Sequence, residues 1–77
     1  MRVRVKLFAG LRERLGFTER ELELAPGQTV ADAWRTIGDR PELPQNVLTA
    51  VNLEYVKPHR ALADGDEVAF FPPVTGG

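Results

Sequence analysis

The sequence predicts an α+β fold, a mixed sheet covered by one main helix, and three features carry that prediction. Two segments near the start alternate apolar and polar residues, as half-buried strands do. A single later segment, residues 30–37, has apolar residues at helical spacing along one face. Short apolar segments between residues 47 and 71 supply the remaining strands. An amphipathic helix must bury its apolar face, so we expect it to pack on one side of a single sheet.

The first strand is predicted over residues 2–9. Val3, Val5 and Leu7 alternate with basic residues, which places the three apolar side chains on one face and the charges on the other. Phe8 departs from this pattern, because it is a large apolar residue on the charged face.

A short helix and a second strand follow the first strand. Residues 10–16 carry two leucines four positions apart, which favours one or two helical turns ended by Gly16. Residues 18–25 alternate again, with Leu22 and Leu24 directed inward. The Pro-Gly pair that comes next ends this strand.

The main helix has a recognisable beginning and end. Thr29 is a good N-cap, and Asp32 falls at the third helical position, where a carboxylate is favoured. Gly38 and Pro41 end the helix. The apolar stripe consists of Val30, Ala33, Trp34 and Ile37.

The last third of the chain completes the sheet. Residues 41–46 are predicted to be loop, and a short strand is predicted around residues 49–53. A tight turn follows at 62–66, with Gly65 able to take a positive φ, and the last strand covers 67–71. The order of strand, strand, helix, strand, short strand and strand is that of a β-grasp roll. We therefore predict a β-grasp domain over residues 1–71 and an extended, mobile tail over 72–77.

Composition excludes several functional classes. The chain has 77 residues, a formal net charge of −1, one histidine, no cysteine and no serine. Disulfides and cysteine-based zinc sites are impossible, and the usual side-chain catalysts are nearly absent, which argues against a self-contained enzyme. The near-neutral charge without basic blocks argues against nucleic acid as a partner. The absence of a long apolar run or signal segment favours a cytoplasmic protein without a membrane role.

Two polar features are best explained without a chemical role. Asp64, Asp66 and Glu67 are close together, but calcium needs six to eight oxygen ligands, so a turn with solvated carboxylates is favoured over a metal site. His59 has no serine or cysteine to activate and is predicted to lie on the surface. No nucleotide-binding fingerprint is present.

The end of the sequence allows two interpretations. Residues 72–77 read Pro-Pro-Val-Thr-Gly-Gly, which fits neither helix nor sheet. One interpretation is an ordinary frayed end. The other is that the carboxylate of Gly77 is itself the reactive group, because glycine without Cβ allows a narrow channel of a partner to close around the backbone.

Three aromatic residues are predicted to lie outside the core. Phe71 faces away from the side occupied by Val68 and Phe70, as Phe8 does on the first strand, and Tyr55 lies in a polar stretch. Scattered exposed apolar residues are normal. If the first and last strands are neighbours, however, Phe8 and Phe71 become adjacent and form a docking surface beside the tail.

These residues together resemble the MoaD family, the small sulfur-carrying subunits of molybdopterin synthase. The resemblance is most specific over residues 64–77, which read Asp-Gly-Asp-Glu-Val-Ala-Phe-Phe-Pro-Pro-Val-Thr-Gly-Gly. It extends to Phe8-Ala9, Arg12-Glu13 and Ala50-Val51-Asn52.

The resemblance implies a ubiquitin-like fold and a function in molybdenum cofactor synthesis. An adenylyltransferase similar to ubiquitin-activating enzymes would use ATP to adenylate Gly77, and a sulfurtransferase would convert the product to a thiocarboxylate. The tail would then enter the large catalytic subunit of a heterotetramer and give its sulfur to cyclic pyranopterin monophosphate. The chain itself would bind no cofactor and no metal. The residues implied are Gly76 and Gly77 for the chemistry, and Phe8, Tyr55, Phe71, Pro72, Pro73, Val74 and Thr75 for partner binding.

Two other functions share a Gly-Gly ending. A β-grasp carrier of this kind also donates sulfur in thiamine synthesis or tRNA thiolation. A protein modifier, in contrast, is ligated through its terminal glycine to lysines, as ubiquitin is.

Overall fold

The described part of the chain contains five strands and two helices, which follow one another in the predicted order. A computed structural model describes residues 1–38, 43 and 46–72 of the chain. The elements are β1 (Arg2–Leu7), α1 (Gly10–Leu15), β2 (Glu19–Glu23), α2 (Val30–Ile37), β3 (Leu48–Val51), β4 (Glu54–Val56) and β5 (Glu67–Phe71).

The strands form one mixed sheet in the order β2-β1-β5-β3-β4. The central pair, β1 and β5, is parallel, and the other three pairs are antiparallel. A parallel pair needs a long crossover connection, and the chain between β1 and β5 contains both helices and the other three strands. The last strand therefore lies in the middle of the sheet, between the first strand and the β3–β4 hairpin.

Helix α2 covers one face of this sheet and closes the core. Trp34 from the helix and Phe70 from β5 have no exposed surface, and their rings meet edge to face at 5.1 Å. Both rings lie among buried aliphatic residues of β1, β2 and β5. Burial of each large side chain stabilises the fold by about 1.5–3 kcal/mol, so this contact is a major part of the core of a small domain.

The predicted N-terminus of α2 is confirmed in atomic detail. The backbone N–H of Thr29 donates to the Asp32 carboxylate at 2.8 Å, and the Asp32 N–H donates to Thr29 Oγ1 at 3.3 Å. This reciprocal pair is a capping box. The hydrogen bond from the Thr29 backbone is the largest cause of a lowered pKa for the Asp32 carboxyl, and the Arg35 guanidinium at 2.8 Å contributes in the same direction.

Several predicted boundaries are corrected. β1 ends at Leu7 rather than residue 9, because Ala9 takes a positive φ of 49° as the cap of α1. The third strand, predicted around 49–53, is Leu48–Val51. Leu53 lies in the turn that joins β3 to β4 instead of in a strand. The bounds of β5 are as predicted.

Two parts of the sequence-based prediction lie outside the described residues. The loop around Pro41 falls mostly on positions 39–42 and 44–45, and most of the predicted tail falls on 73–77. The division into a domain over 1–71 and a tail over 72–77 therefore stays a prediction.

Candidate functional site on the open face of the sheet

No helix of the described residues packs on the face of the sheet opposite α2. The strand register determines which side chains lie on this open face. In β1 the core receives Val3, Val5 and Leu7, so the alternate residues point to the open face. Pairing places Lys6 beside Ala69 of β5, and Ala69 beside Ala50 of β3. The open face therefore runs continuously from the β2 edge to the β4 edge.

One half of the open face is charged. Arg2 and Arg4 of β1 lie opposite glutamates of β2, with nitrogen-to-oxygen distances of 3.5–3.9 Å. Their side chains are half or more exposed, so each pair adds little to stability. Their effect is to keep the β2 edge hydrated and unsuited to apolar docking or strand addition. The glutamates concerned are Glu19, Glu21 and Glu23.

The other half of the open face is aromatic. Phe8 and Phe71 stack with ring centroids 4.6 Å apart and planes inclined by 11°. Tyr55 joins them from β4, with its centroid 6.1 Å from that of Phe71 and a tilt of 55°. Phe8 remains 40% exposed and Tyr55 73% exposed. The predicted adjacency of Phe8 and Phe71 is confirmed, because β1 and β5 are neighbours in the sheet.

A shallow hollow of about 180 Å³ lies between these rings. Ala50 and Ala69, a register pair, form its floor, and their small side chains leave room between the larger residues around them. Lys6 and Glu67 form an ion pair of 3.0 Å at the rim, where the charged half meets the aromatic half. The arrangement suits an apolar group of a protein partner better than a polar substrate.

Sequence reasoning missed two apolar residues of this face. Leu48 is 41% exposed and is paired with Phe71 across the β3–β5 ladder. Leu53 is 91% exposed and lines the hollow from the β3–β4 turn. Leu48 follows from the register once Phe71 is assigned to the open face. Leu53 could have been found from Asn52, since asparagine is a common first residue of a two-residue hairpin turn. We call Phe8, Leu48, Leu53, Tyr55 and Phe71 the apolar patch.

The chain leaves the sheet within the apolar patch. β5 ends at Phe71, and the half-buried Pro72 follows directly. Because β5 is the central strand, hydrogen bonds to both β1 and β3 hold the last residues before the exit. The remaining predicted site residues, Pro73, Val74, Thr75, Gly76 and Gly77, lie outside the described residues.

The carboxylates of the 64–67 turn have structural partners. Asp64 accepts the backbone N–H of Arg2 at 2.7 Å. Asp66 accepts the N–H of Ala63 at 2.8 Å and the side-chain amide of Asn52 at 3.0 Å. These contacts close the turn before β5 and connect it to the β3–β4 hairpin.

Other candidate features contribute no further chemistry. His59 is exposed, as predicted, in a shallow groove with Lys57 and Arg60 that borders Tyr55. Within the described ranges, His, Asp and Glu side chains form no group of three that would hold a metal ion. None of the helices in that part of the chain has the length and apolar character needed to cross a membrane.

Comparison with known proteins decides the family. A model of the ThiS family matches residues 5–77, which is nearly the whole chain. The chain belongs to the ThiS family. Among its relatives, a molybdopterin synthase sulfur carrier subunit from Chlamydomonas reinhardtii is 41% identical, with full coverage of both chains. The protein of the same name from Escherichia coli is 39% identical over 97% of this chain and 99% of the relative.

The fold of this ThiS-family chain is also found in solved structures. The crystal structure of small archaeal modifier protein 1 from Haloferax volcanii superposes with a TM-score of 0.82, at 34% identity and full coverage of both chains. The predicted ubiquitin-like β-grasp fold is thereby confirmed. The resemblance to small sulfur-carrying subunits is confirmed by the relatives that bear that name.

Proposed function

We propose that this ThiS-family chain is the sulfur carrier subunit of a molybdopterin synthase and that the carboxylate of Gly77 carries the sulfur. The full-length relatives with this name, at 39% and 41% identity, are the observation that carries the proposal. The apolar patch around the exit of β5 supports it, because a partner that receives residues 72–77 must sit over the patch.

The chemistry follows from the weakness of a carboxylate as an electrophile. An ATP-using partner forms the acyl-adenylate of Gly77 with release of pyrophosphate, and a sulfurtransferase then replaces AMP with sulfur. The resulting thiocarboxylate stays covalently attached to the carrier and is delivered as a nucleophile inside a shielded site. There the sulfur attacks cyclic pyranopterin monophosphate, and water then cleaves the acyl–sulfur bond, which leaves the sulfur on the product and restores the Gly77 carboxylate. The dithiolene of the product contains two sulfurs, so two charged carriers act for each product.

This chain's own contribution is docking and delivery. It has no cysteine or serine to act as a nucleophile, and we assign ATP and the catalytic groups to its partners. We propose that Phe8, Tyr55 and Phe71 bind the large catalytic subunit, while residues 72–75 thread toward its active site and Gly76 and Gly77 occupy the narrowest part. We place this reaction in the cytoplasm, with two carriers on a central dimer of large subunits.

The test is removal of Gly77. The truncated chain should keep the melting temperature of the wild type but support no sulfur transfer. Intact-mass analysis of the wild type after incubation with activating enzyme, ATP and a sulfur source should show one oxygen replaced by sulfur. Gly10→Ala is a matched glycine control, because a Cβ at Gly10 meets nothing within 4 Å and the tail stays complete. Product formation by the truncated chain would show that Gly77 is not the carrier group.

A second candidate function is covalent protein modification. The small archaeal modifier protein of Haloferax volcanii favours it, at 36% identity over 94% of this chain. In that case the activated carboxylate of Gly77 would be attacked by a lysine amine of another protein. Slower-migrating conjugates in the source cell, absent when Gly77 is deleted, would support the modifier function. Free carrier together with a complex of carrier and larger subunit would instead support the synthase.

A further inference from the structure

Leu53 occupies a position that the fold itself does not favour. Val51 and Glu54 are paired in the β3–β4 hairpin, so its loop is the two residues Asn52 and Leu53. Both have positive φ, 50° for Asn52 and 72° for Leu53. Two consecutive positive φ values define a primed hairpin turn, whose second position strongly prefers glycine. A leucine there strains the backbone.

The two turn residues differ in the contacts that they make with the rest of the fold. Asn52 is anchored on both sides, since its side-chain amide donates to Asp66 at 3.0 Å and its side-chain oxygen accepts the N–H of Glu67 at 3.0 Å. Its backbone N–H also donates to the Glu67 carbonyl at 2.8 Å. Leu53, at 91% exposure, buries almost none of its side chain. At Leu53, therefore, both the strained backbone and the exposed apolar side chain are unfavourable in the free protein.

We infer that Leu53 is an anchor residue that inserts into an apolar pocket of the catalytic subunit that receives the tail. This inference rests on the proposed function, because it names the same partner. Leu53 lines the hollow together with Phe8, Tyr55 and Phe71, so its side chain continues the surface on which the tail begins.

The size of the patch favours this occupant over a second copy of the chain. The exposed parts of the five residues of the apolar patch provide on the order of 500 Å² of surface, against about 800 Å² per partner in a standard stable interface. The patch alone is too small for a stable homodimer. A partner that also binds the six residues after Phe71 gains contact area beyond the patch, because those residues follow directly on β5.

The test uses Leu53→Gly, for which stability and binding should change in opposite directions. Glycine relieves the strained backbone, so the melting temperature should rise by about 4–8 °C. Loss of the side chain should weaken binding to the isolated catalytic subunit at least tenfold, measured by calorimetry. Leu53→Met is the matched control, since it keeps a long apolar side chain in the strained turn. It should leave the melting temperature unchanged and the dissociation constant within about threefold.

The outcomes separate this inference from the function on which it rests. A Leu53→Gly chain that is more stable and binds as tightly as the wild type overturns the role of Leu53 and leaves the carrier function standing. A lower melting temperature shows that Leu53 serves the fold, which also overturns the inference. If the wild type itself fails to bind the catalytic subunit and forms no product with it, the proposed function and the inference fall together.

Discussion

Replacing Phe71 with alanine is the most direct test of the aromatic half of the open face. The Phe71 ring stacks on Phe8 at 4.6 Å and lies 6.1 Å from Tyr55. Its removal therefore eliminates both of these ring contacts. The main chain of β5 should be unaffected, because its hydrogen bonds to β1 and β3 do not involve this side chain. The substitution therefore changes the docking surface while the strand that carries the tail stays in place.

The expected magnitudes differ for folding and for binding. In the free carrier the ring is half-buried, and its loss removes aromatic contacts of about 0.5–1.5 kcal/mol each together with part of the ring's burial. We expect the free energy of unfolding to fall by about 2–4 kcal/mol, or roughly 10–30 °C in melting temperature. If Phe71 is a hot spot for the catalytic subunit, affinity falls by a further 1–3 kcal/mol, which is about 5- to 150-fold.

The assay is titration of the catalytic subunit with wild-type and variant carrier below the melting temperature of both. Phe17→Ala is the matched control, because Phe17 is also a half-buried phenylalanine but lies beside Arg20, outside the apolar patch. That variant should lose stability and keep full affinity. If Phe71→Ala behaves in the same way, Phe71 serves only the fold and the docking surface is placed wrongly.

Three further predictions concern the helix and the tail. Asp32→Asn should lower stability near neutral pH by about 0.3–1 kcal/mol. Because folding lowers the pKa of Asp32, the carboxylate stabilises the fold at pH values above its ordinary pKa of 3.8, and this stabilisation is lost as the pH falls through the pKa of the folded state. The free energies of unfolding of wild type and Asp32→Asn, measured in urea, should therefore become equal in acid. Gly38→Ala should destabilise by about 1–3 kcal/mol, because its Cβ would lie 3.0 Å from the Trp34 carbonyl, while Gly10→Ala should do so far less. Two glycines inserted between Phe71 and Pro72 should leave binding intact but reduce sulfur transfer about 100-fold, because the carboxylate is displaced by up to about 7 Å.

The elements and the core were predictable because they depend on local periodicity. Val3, Val5 and Leu7 alternate with charges, and Trp34 lies on a stripe of helical spacing, so these core residues could be assigned from their own segments, whereas the buried Val47 and Leu62 could not. Phe8 was recognised as part of a site for the same reason, since it breaks the alternation of its strand. To predict its contact with Phe71, one must also know that the first and last strands are adjacent, as they are in a β-grasp fold.

The hairpin tip was not predictable from periodicity. Residues 50–53 form one short apolar segment apart from Asn52, and a strand gives the same pattern as a strand followed by a turn. The backbone decides between them. Asn52 is fixed by the 64–67 turn through Asp66 and Glu67, a contact between segments about fifteen residues apart that no local pattern contains. With Asn52 held there, Leu53 must take the second turn position despite its side chain.

The central position of β5 bears directly on the proposed delivery of Gly77 to a partner. Hydrogen bonds from both neighbouring strands fix the point at which the tail begins, and the six residues that follow Phe71 can extend at most about 20 Å. A partner that accepts Gly77 must therefore approach within that distance of the apolar patch. The ion-paired half of the sheet, from β2 to Lys6 and Glu67, disfavours approach from the other side, because docking there would strip water from charges without apolar gain. The position at which a partner docks and the distance that the tail must span are therefore linked, because the same strand carries both Phe71 and the tail.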